Sequence, residues 1–239
     1  MHLENKTVFV TGANRGIGKA LVAALLKHKV KKVYAGARNP DELPDFSDDR
    51  VVPVKLDITN FSQIKKAAMQ ADDIDLLINN AGVLSSHEGL IASNYDQLLQ
   101  EMNVNYFGTI NMARVFAPVL AKKKASAIAN VISVLGLVSM PNLGGYCASK
   151  AALFSATQSL RVELKPNATT VHGVFPGPID TDMSSGLEME KASVETTAEN
   201  ILKGISADIE DIYPDPVSEQ ASVVWSKNPK QLEKQFSGL

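Results

Sequence analysis

Short apolar runs rich in β-branched residues alternate with stretches of helical period along almost the whole chain, and this alternation restricts the fold more than any other feature. Thr7 to Thr11 reads as a strand, Gly16 to His28 as a helix and Lys32 to Ala37 as a second strand. A third run, Val51 to Leu56, precedes a helix starting near Asn60, and a fourth, Ile74 to Asn79, ends in Asn80-Ala81-Gly82. Helical stretches at about Tyr95 to Asn103 and Asn105 to Lys122 lead to a fifth strand, Ala127 to Ser133. A helix carrying Tyr146 to about Leu164 leads to a sixth, Thr169 to Phe175. A seventh short strand near Asp211 to Tyr213 and a C-terminal helix over about 218–235 complete the pattern. Such βα repetition calls for an α/β fold: a doubly wound parallel sheet of about seven strands with helices on both faces.

With 239 residues the chain is long for one ordinary domain and short for two. No linker, repeat or low-complexity tract divides it, so residues 1–239 are expected to form a single domain. The acidic, proline-bearing stretch Asn39 to Arg50 reads as a surface loop. Residues 178–192, rich in Ser, Met and Glu after Pro176-Gly177-Pro178, read as a candidate substrate lid at a strand end.

Thr11-Gly12-Ala13-Asn14-Arg15-Gly16-Ile17-Gly18 follows the first strand and opens the first helix, the setting in which a glycine pattern becomes a phosphate-binding argument. Gly12 permits the tight turn, Gly16 lets backbone approach a pyrophosphate, and Gly18 lets the helix close on the sheet. Free N–H groups at the helix start then face the anion. Asn14, Arg15 and Ile17 complete the candidate loop. The spacing Gly-x-x-x-Gly-x-Gly differs from the commoner G-x-G-x-x-G. About twenty residues on, where an acidic side chain takes the ribose of NAD and arginine accommodates the extra phosphate of NADP, the chain reads Tyr34-Ala35-Gly36-Ala37-Arg38. Arg38, helped by Arg15, points to NADP(H); the rival is a solvated Arg38 with Asp41 on the ribose.

Tyr146 and Lys150 stand four residues apart on one predicted helix, which puts them on one face. Ser133 ends an apolar run upstream. A cation about 4 Å from a partly buried phenol is worth roughly 4 kcal/mol at an effective dielectric of 20, enough to draw a group that normally titrates near pH 10 toward neutrality. A tuned phenol suits general acid or base work in carbonyl/alcohol interconversion.

Composition excludes several alternatives. The net charge of -2 argues against nucleic acid or an anionic membrane as partner. The single cysteine, Cys147, excludes an internal disulfide and a cysteine-rich zinc site, and His2, His28, His87 and His172 show no metal spacing. No metal is expected. The first strand begins by about Thr7 and no apolar run reaches membrane length, so a cytoplasmic protein is expected.

Taken in order, Thr11 to Gly18, Asn79-Asn80-Ala81-Gly82, Ser133, Tyr146-x-x-x-Lys150 and Pro176-Gly177-Pro178-Ile179-Asp180-Thr181 resemble a short-chain dehydrogenase/reductase over about residues 5 to 213. The resemblance implies a Rossmann-type sheet, and catalysis by Asn105, Ser133, Tyr146 and Lys150. Tyr146 would be the acid/base, Lys150 would lower its pKa and hold the nicotinamide ribose, and Ser133 would bind the substrate oxygen. Asn105 would hold a water linking Lys150 to solvent, with Asn103 its competitor. Asp57 and the Ile58 backbone would meet the adenine, and Asn80, Ala81 and Gly82 would pack under the adenine ribose and steady the sheet. Pro176, Gly177, Ile179 and Thr181 would line the nicotinamide and pyrophosphate. Asp57 has a rival reading as a helix cap and Asn80 as a turn residue. A homodimer or homotetramer built on the two long helices is also implied.

These roles describe reduction of a carbonyl with NADPH. Leu135, Met140 and Met183, with Ser133 and Tyr146, are the candidate substrate contacts, and their apolar character favours a ketone, aldehyde or quinone over a charged sugar phosphate. Two rivals are an NAD-dependent alcohol dehydrogenase of the same family and a non-catalytic NADP(H)-sensing protein. The C-terminal part departs from the family's usual Val-Asp-Gly-Gly-like turn: Glu210 to Pro216 is followed by a helix bearing Trp225, expected over the substrate cleft or against a partner subunit.

Overall fold

A computed structural model of the chain describes residues 1–186 and 188–238. Seven strands form one sheet: β1 (Thr7–Thr11), β2 (Lys32–Ala37), β3 (Val51–Lys55), β4 (Leu76–Asn79), β5 (Ser126–Val131), β6 (Thr169–Val174) and β7 (Asp211–Ile212). Their spatial order is β3-β2-β1-β4-β5-β6-β7, and every pairing is parallel. The order reverses between β1 and β4, and in open α/β sheets such a switch point opens a crevice at the carboxyl ends of the strands.

Helices cover both faces, as expected of a parallel sheet whose strands are buried on both sides. Alternation along β1 divides the core: Val8 and Val10 join one cluster, Phe9 the other. On the first face α1 (Gly16–Lys27) packs beside α6 (Val194–Ser206), with Leu21, Leu25, Ile201 and Ile205 inward. On the second lie α2 (Phe61–Gln70), α4 (Thr109–Leu120) and α5 (Gly144–Leu164), contributing Ile64, Phe116, Leu120 and Leu160. The Phe9 and Phe116 rings meet at 5.3 Å, and truncating either to alanine removes about 3–5 kcal/mol at such a site.

The boundaries of β1 to β7 agree with the sequence reading to within two residues. Three features differ. The two helices predicted over 95–122 are one run: α3 (Tyr95–Glu101) passes through a π-helical segment, Met102–Gly108, into α4. The widened turn has no glycine or proline until Gly108 to announce it. The α6 helix was not predicted, although the Ser193 hydroxyl caps it by accepting from Thr196 N–H and its apolar residues keep helical spacing. The closing helix expected over 218–235 is two, α7 (Pro216–Lys227) and α8 (Pro229–Ser237). Pro229 lacks the N–H needed to continue α7 and instead begins α8, for which Asn228 supplies the cap.

The predicted lid, 178–192, includes residue 187, which lies outside the described residues. Its two ends are tied together: Asp180 N–H donates to Ala192 O at 2.9 Å and Ala192 N–H to Pro178 O at 3.0 Å. A short 3-10 turn, Asp182–Ser184, stands between them.

Candidate active site

One cleft of about 1540 Å³ runs along the carboxyl ends of the strands. Every predicted site residue lines it except Gly18 and Asn105, which lie behind its wall.

At its first end β1 turns into α1 through Gly12 and Gly16, both with positive φ (65° and 52°). A side chain on Gly18 would collide with the Gly12 carbonyl, so the helix approaches the turn this closely only without one. Arg15 occupies the N-cap position with no side-chain cap, and no acidic residue stands in the first turn. The first N–H groups of α1 therefore retain the donors and positive potential that suit an anion. Asn80 fastens β4 to this turn. Its Nδ2 donates to Thr11 O at 2.9 Å and Gly12 O at 3.1 Å, while the Thr11 hydroxyl accepts from Asn80 N–H and Ala81 N–H, both at 3.0 Å.

Arg38 stands exposed on the cleft rim at the end of β2. Asp41, its rival, is outside the cleft lining; Glu42, which the sequence reading passed over, is in it. Asp57 does not cap α2, since Asn60 does so by accepting from Gln63 N–H. One Asp57 oxygen instead accepts from Thr59 N–H at 2.9 Å and from the Thr59 hydroxyl at 2.7 Å. Beside it, Ile58 packs against Gly108.

At the other end Ser133, Tyr146 and Lys150 converge. Ser133 follows β5, and its hydroxyl accepts from Leu135 N–H at 3.1 Å. Lys150 is 4% exposed, and its Nζ donates to Val131 O at 2.9 Å while lying 5.5 Å from the Tyr146 ring centroid. Burial draws the Lys150 ammonium down to about 7. Burial pushes the Tyr146 phenol above its ordinary value, Ser133 pulls it down by hydrogen bonding, and Cys147 and Glu101 push it further up. The expected lowering of the phenol by Lys150 is therefore not seen in this structure. The lysine is held on a backbone carbonyl, and burial removes much of its charge at neutral pH.

Asn105 is fully buried within the π segment, whereas Asn103 is exposed. The Asn105 side chain accepts from Val83 N–H at 2.8 Å and donates to Val83 O and to the Ser149 hydroxyl, both at 2.9 Å. Gly82 lies between Asn105 and Lys150: a methyl there would stand 3.2 Å from Asn105 Oδ1 and 3.5 Å from Lys150 Nζ. The π segment, the β4 exit and α5 thus meet beside the lysine, and π turns of this kind recur at functional sites.

The third wall comes from Pro176 to Met183 and the C-terminal helices. Gly177 N–H donates at 2.8 Å to buried Asp215, which also caps α7. Thr181 approaches Gly16, and Arg15 pairs with Asp182 at 3.5 Å across exposed surface, a contact worth little on its own. Leu135, Met140 and Met183 line the cleft, joined by residues that sequence reasoning missed: Leu99, Met189, Val217, Gln235 and Phe236. Trp225 packs on Phe154, and the C-terminal helices contribute Val217, Gln235 and Phe236 to the cleft lining. Their distance in sequence from every motif left no local signal. Among the described residues no His, Cys, Asp or Glu cluster suits a metal.

A family model described as short chain dehydrogenase matches residues 6–192. A short chain dehydrogenase from Burkholderia cenocepacia, solved in complex with NADP, is 39% identical with a TM-score of 0.94, and the match covers 99% of each chain. The NADP-dependent 3-hydroxy acid dehydrogenase of Schizosaccharomyces pombe is 32% identical over 76% of this chain and 74% of its own length. A 3-oxoacyl-[acyl-carrier-protein] reductase of Thermotoga maritima is 33% identical over 80% of this chain and 81% of its own. The matches span only 66% and 44% of two fungal short chain dehydrogenases that are also similar. From its motifs, sheet order and cleft through to these matches, the chain belongs to the short-chain dehydrogenase/reductase family.

Proposed function

We propose that the chain is an NADPH-dependent reductase of a ketone, aldehyde or quinone, acting by reversible hydride transfer. The observation that carries this reading is one continuous cleft with Ser133, Tyr146 and Lys150 at one end and a glycine turn flanked by Arg15 and Arg38 at the other. The residues present fit the cofactor: the uncapped start of α1 offers N–H donors to a pyrophosphate, and Arg38 offers a guanidinium to a ribose phosphate. The NADP complex of the Burkholderia relative and the NADP-dependence in the fission-yeast relative's name support the same choice.

When bound, NADPH supplies the hydride. Tyr146 then donates its phenolic proton to the developing alkoxide, while Ser133 donates a hydrogen bond to the same oxygen. The high proton affinity that burial gives the phenol suits an acid that must stay protonated until the alkoxide forms. Lys150, held on the Val131 carbonyl beside the ring, is placed to hold the nicotinamide ribose, and Asn105, bonded to the Val83 backbone and the Ser149 hydroxyl, stands beside it where a water would link Lys150 to solvent. Leu135, Met140 and Met183 hold an apolar substrate body and exclude solvent.

The same reading includes a soluble cytoplasmic enzyme and a homodimer or homotetramer in which α4 and α5 meet a second copy. Exposed Val162 on α5 and Phe107 just before α4 are apolar residues that such a contact would cover. No described helix is long and apolar enough to cross a membrane.

The test is loss of absorbance at 340 nm with NADPH and a panel of ketones, aldehydes and quinones, with NADH and the Tyr146→Phe variant alongside. NADPH-dependent turnover that disappears in the variant supports the reductase. Tight NADPH binding with no turnover on any carbonyl overturns it in favour of an NADP(H)-sensing protein.

A further inference from the structure

Glu101 closes α3 directly before the π segment and is fully buried. Burying a carboxylate is costly unless its oxygens are satisfied, and here only one is. Oε1 accepts from Ser85 N–H at 2.9 Å and from Ser86 N–H at 3.3 Å. Oε2 is buried with no hydrogen-bond partner among the described residues.

That unpartnered oxygen is aimed at Gly145, in the first turn of α5. A side chain at Gly145 would collide with Oε2 and with Leu98, one turn earlier on α3, so the close approach depends on the glycine. The start of α5 has no side-chain cap of its own, and a carboxylate beside a helix N-terminus is favourably placed. The residue after Gly145 is Tyr146. Lys150 lies over its ring; burial pushes its phenol up, Ser133 pulls it down by hydrogen bonding, and Cys147 and Glu101 add smaller upward pushes, as Glu101 does for Cys147. Leu90 from the same loop packs on Gly144. The loop after β4, the end of α3 and the first turn of α5 are thereby joined at one carboxylate.

We propose that Glu101 is a positioning residue for Tyr146: it clamps the Ser85–Ser86 loop to the first turn of α5 and fixes a negative charge against Gly145, the residue before the phenol-bearing one. The inference rests on the reductase reading for its consequence in catalysis, but the clamp itself does not need turnover to be observed.

Three variants separate the parts. Glu101→Gln keeps an acceptor oxygen and removes the charge, Glu101→Asp keeps the charge on a shorter arm, and Glu101→Ala removes both. Each is assayed by amide hydrogen exchange and by the pH profile of kcat for NADP+-dependent oxidation of the alcohol product, the direction that needs deprotonated Tyr146. In Glu101→Gln the midpoint of the rising limb is expected to move to lower pH by about half a unit or more, because an anion opposing ionisation is gone. The midpoint should return toward the wild-type value in Glu101→Asp. A midpoint unchanged in Glu101→Gln overturns the electrostatic part, since loss of packing alone does not move it in this direction.

In Glu101→Ala the Ser85 and Ser86 amides and the first turn of α5 are expected to exchange about tenfold faster or more than in the wild type. Unchanged exchange there overturns the clamp. Should Glu101→Ala not fold, Glu101→Asp serves, because its shortened side chain loosens the same two amides. If the wild type turns over no carbonyl, the reductase reading fails separately and the exchange measurement still decides the clamp.

Discussion

The Lys150 Nζ hangs from the carbonyl oxygen of Val131 at 2.9 Å while standing 5.5 Å from the centre of the Tyr146 ring. A cation so placed must be taken out of water, and burial draws it down to about 7 from 10.5. Below pH 7 the folded protein carries the full cost of a buried charge. The cost falls as pH rises from about 7 toward 10.5, where the unfolded chain still binds the proton and the folded one does not. Lys150→Met should therefore raise stability at pH 6 by about 1–3 kcal/mol, with the gain disappearing by pH 10. Denaturant melts at the two pH values check this, and a destabilised variant at pH 6 would contradict it.

Loss of the phenolic hydroxyl in Tyr146→Phe removes the proton donor and leaves the ring in place. Turnover should fall by about 10²–10⁴-fold, while the NADPH dissociation constant, read by fluorescence titration, stays within about threefold. A variant with near-normal kcat would assign the acid role to another group.

Arg38 is exposed, and its side chain makes no hydrogen bond among the described residues, so its removal should cost the fold little. Arg38→Ala is expected to weaken NADPH binding by about tenfold or more while leaving NADH within about twofold, as the loss of one charge-assisted contact to phosphate would do. Calorimetric titration of both cofactors measures the ratio. An unchanged ratio would transfer attention to Arg15 and Glu42.

Phe236 reaches the cleft from α8 and shares a cluster with Leu135. Phe236→Ala should raise KM for bulky apolar carbonyls by about 3–10-fold and leave kcat within about twofold, the signature of lost binding that is equal in ground and transition states. Small aldehydes that do not reach α8 should be unaffected. Steady-state kinetics on a size series decides it.

Local sequence carried much of this architecture. The run from Thr11 to Gly18 needed only its place between a strand and a helix to be recognised, and Asn105 was separated from Asn103 by the glycine three residues on. Asp57 was less legible, because an acid after a strand can cap a helix or close a turn, and only the neighbouring Asn60 decided between them. Val217, Gln235 and Phe236 reach the cleft from elements far from any motif, and Asp215 holds Gly177 from the same part of the chain, so their roles depend on tertiary packing. The protonation of Tyr146 was the least legible: helical spacing gives the distance between two side chains, whereas the balance of burial and charge depends on what surrounds both. Glu101 had no signal of its own, since a glutamate near a helix end is ordinarily exposed.

The π segment at Met102–Gly108 also makes chain length there a different variable from side-chain identity. Each α-helical residue advances the chain by about 100°. A π turn closes i→i+5 where an α turn closes i→i+4, so this segment takes up one residue more than an α-helix would. Deleting one residue between Met102 and Gly108 would let the segment relax to α geometry with Glu101 and Leu98 still at their present angle to Met112 and Phe116, whereas a deletion within α4 ahead of Met112 would turn them by roughly 100°. Glu101, Met112 and Phe116 are fully buried and Leu98 is half-buried, so that second deletion would rotate one set out of its socket. A deletion at exposed Asn103 should instead keep both flanks packed and displace only the turn that carries Asn105. Deletion scanning along the helix would map that tolerance as a narrow window in an otherwise intolerant run.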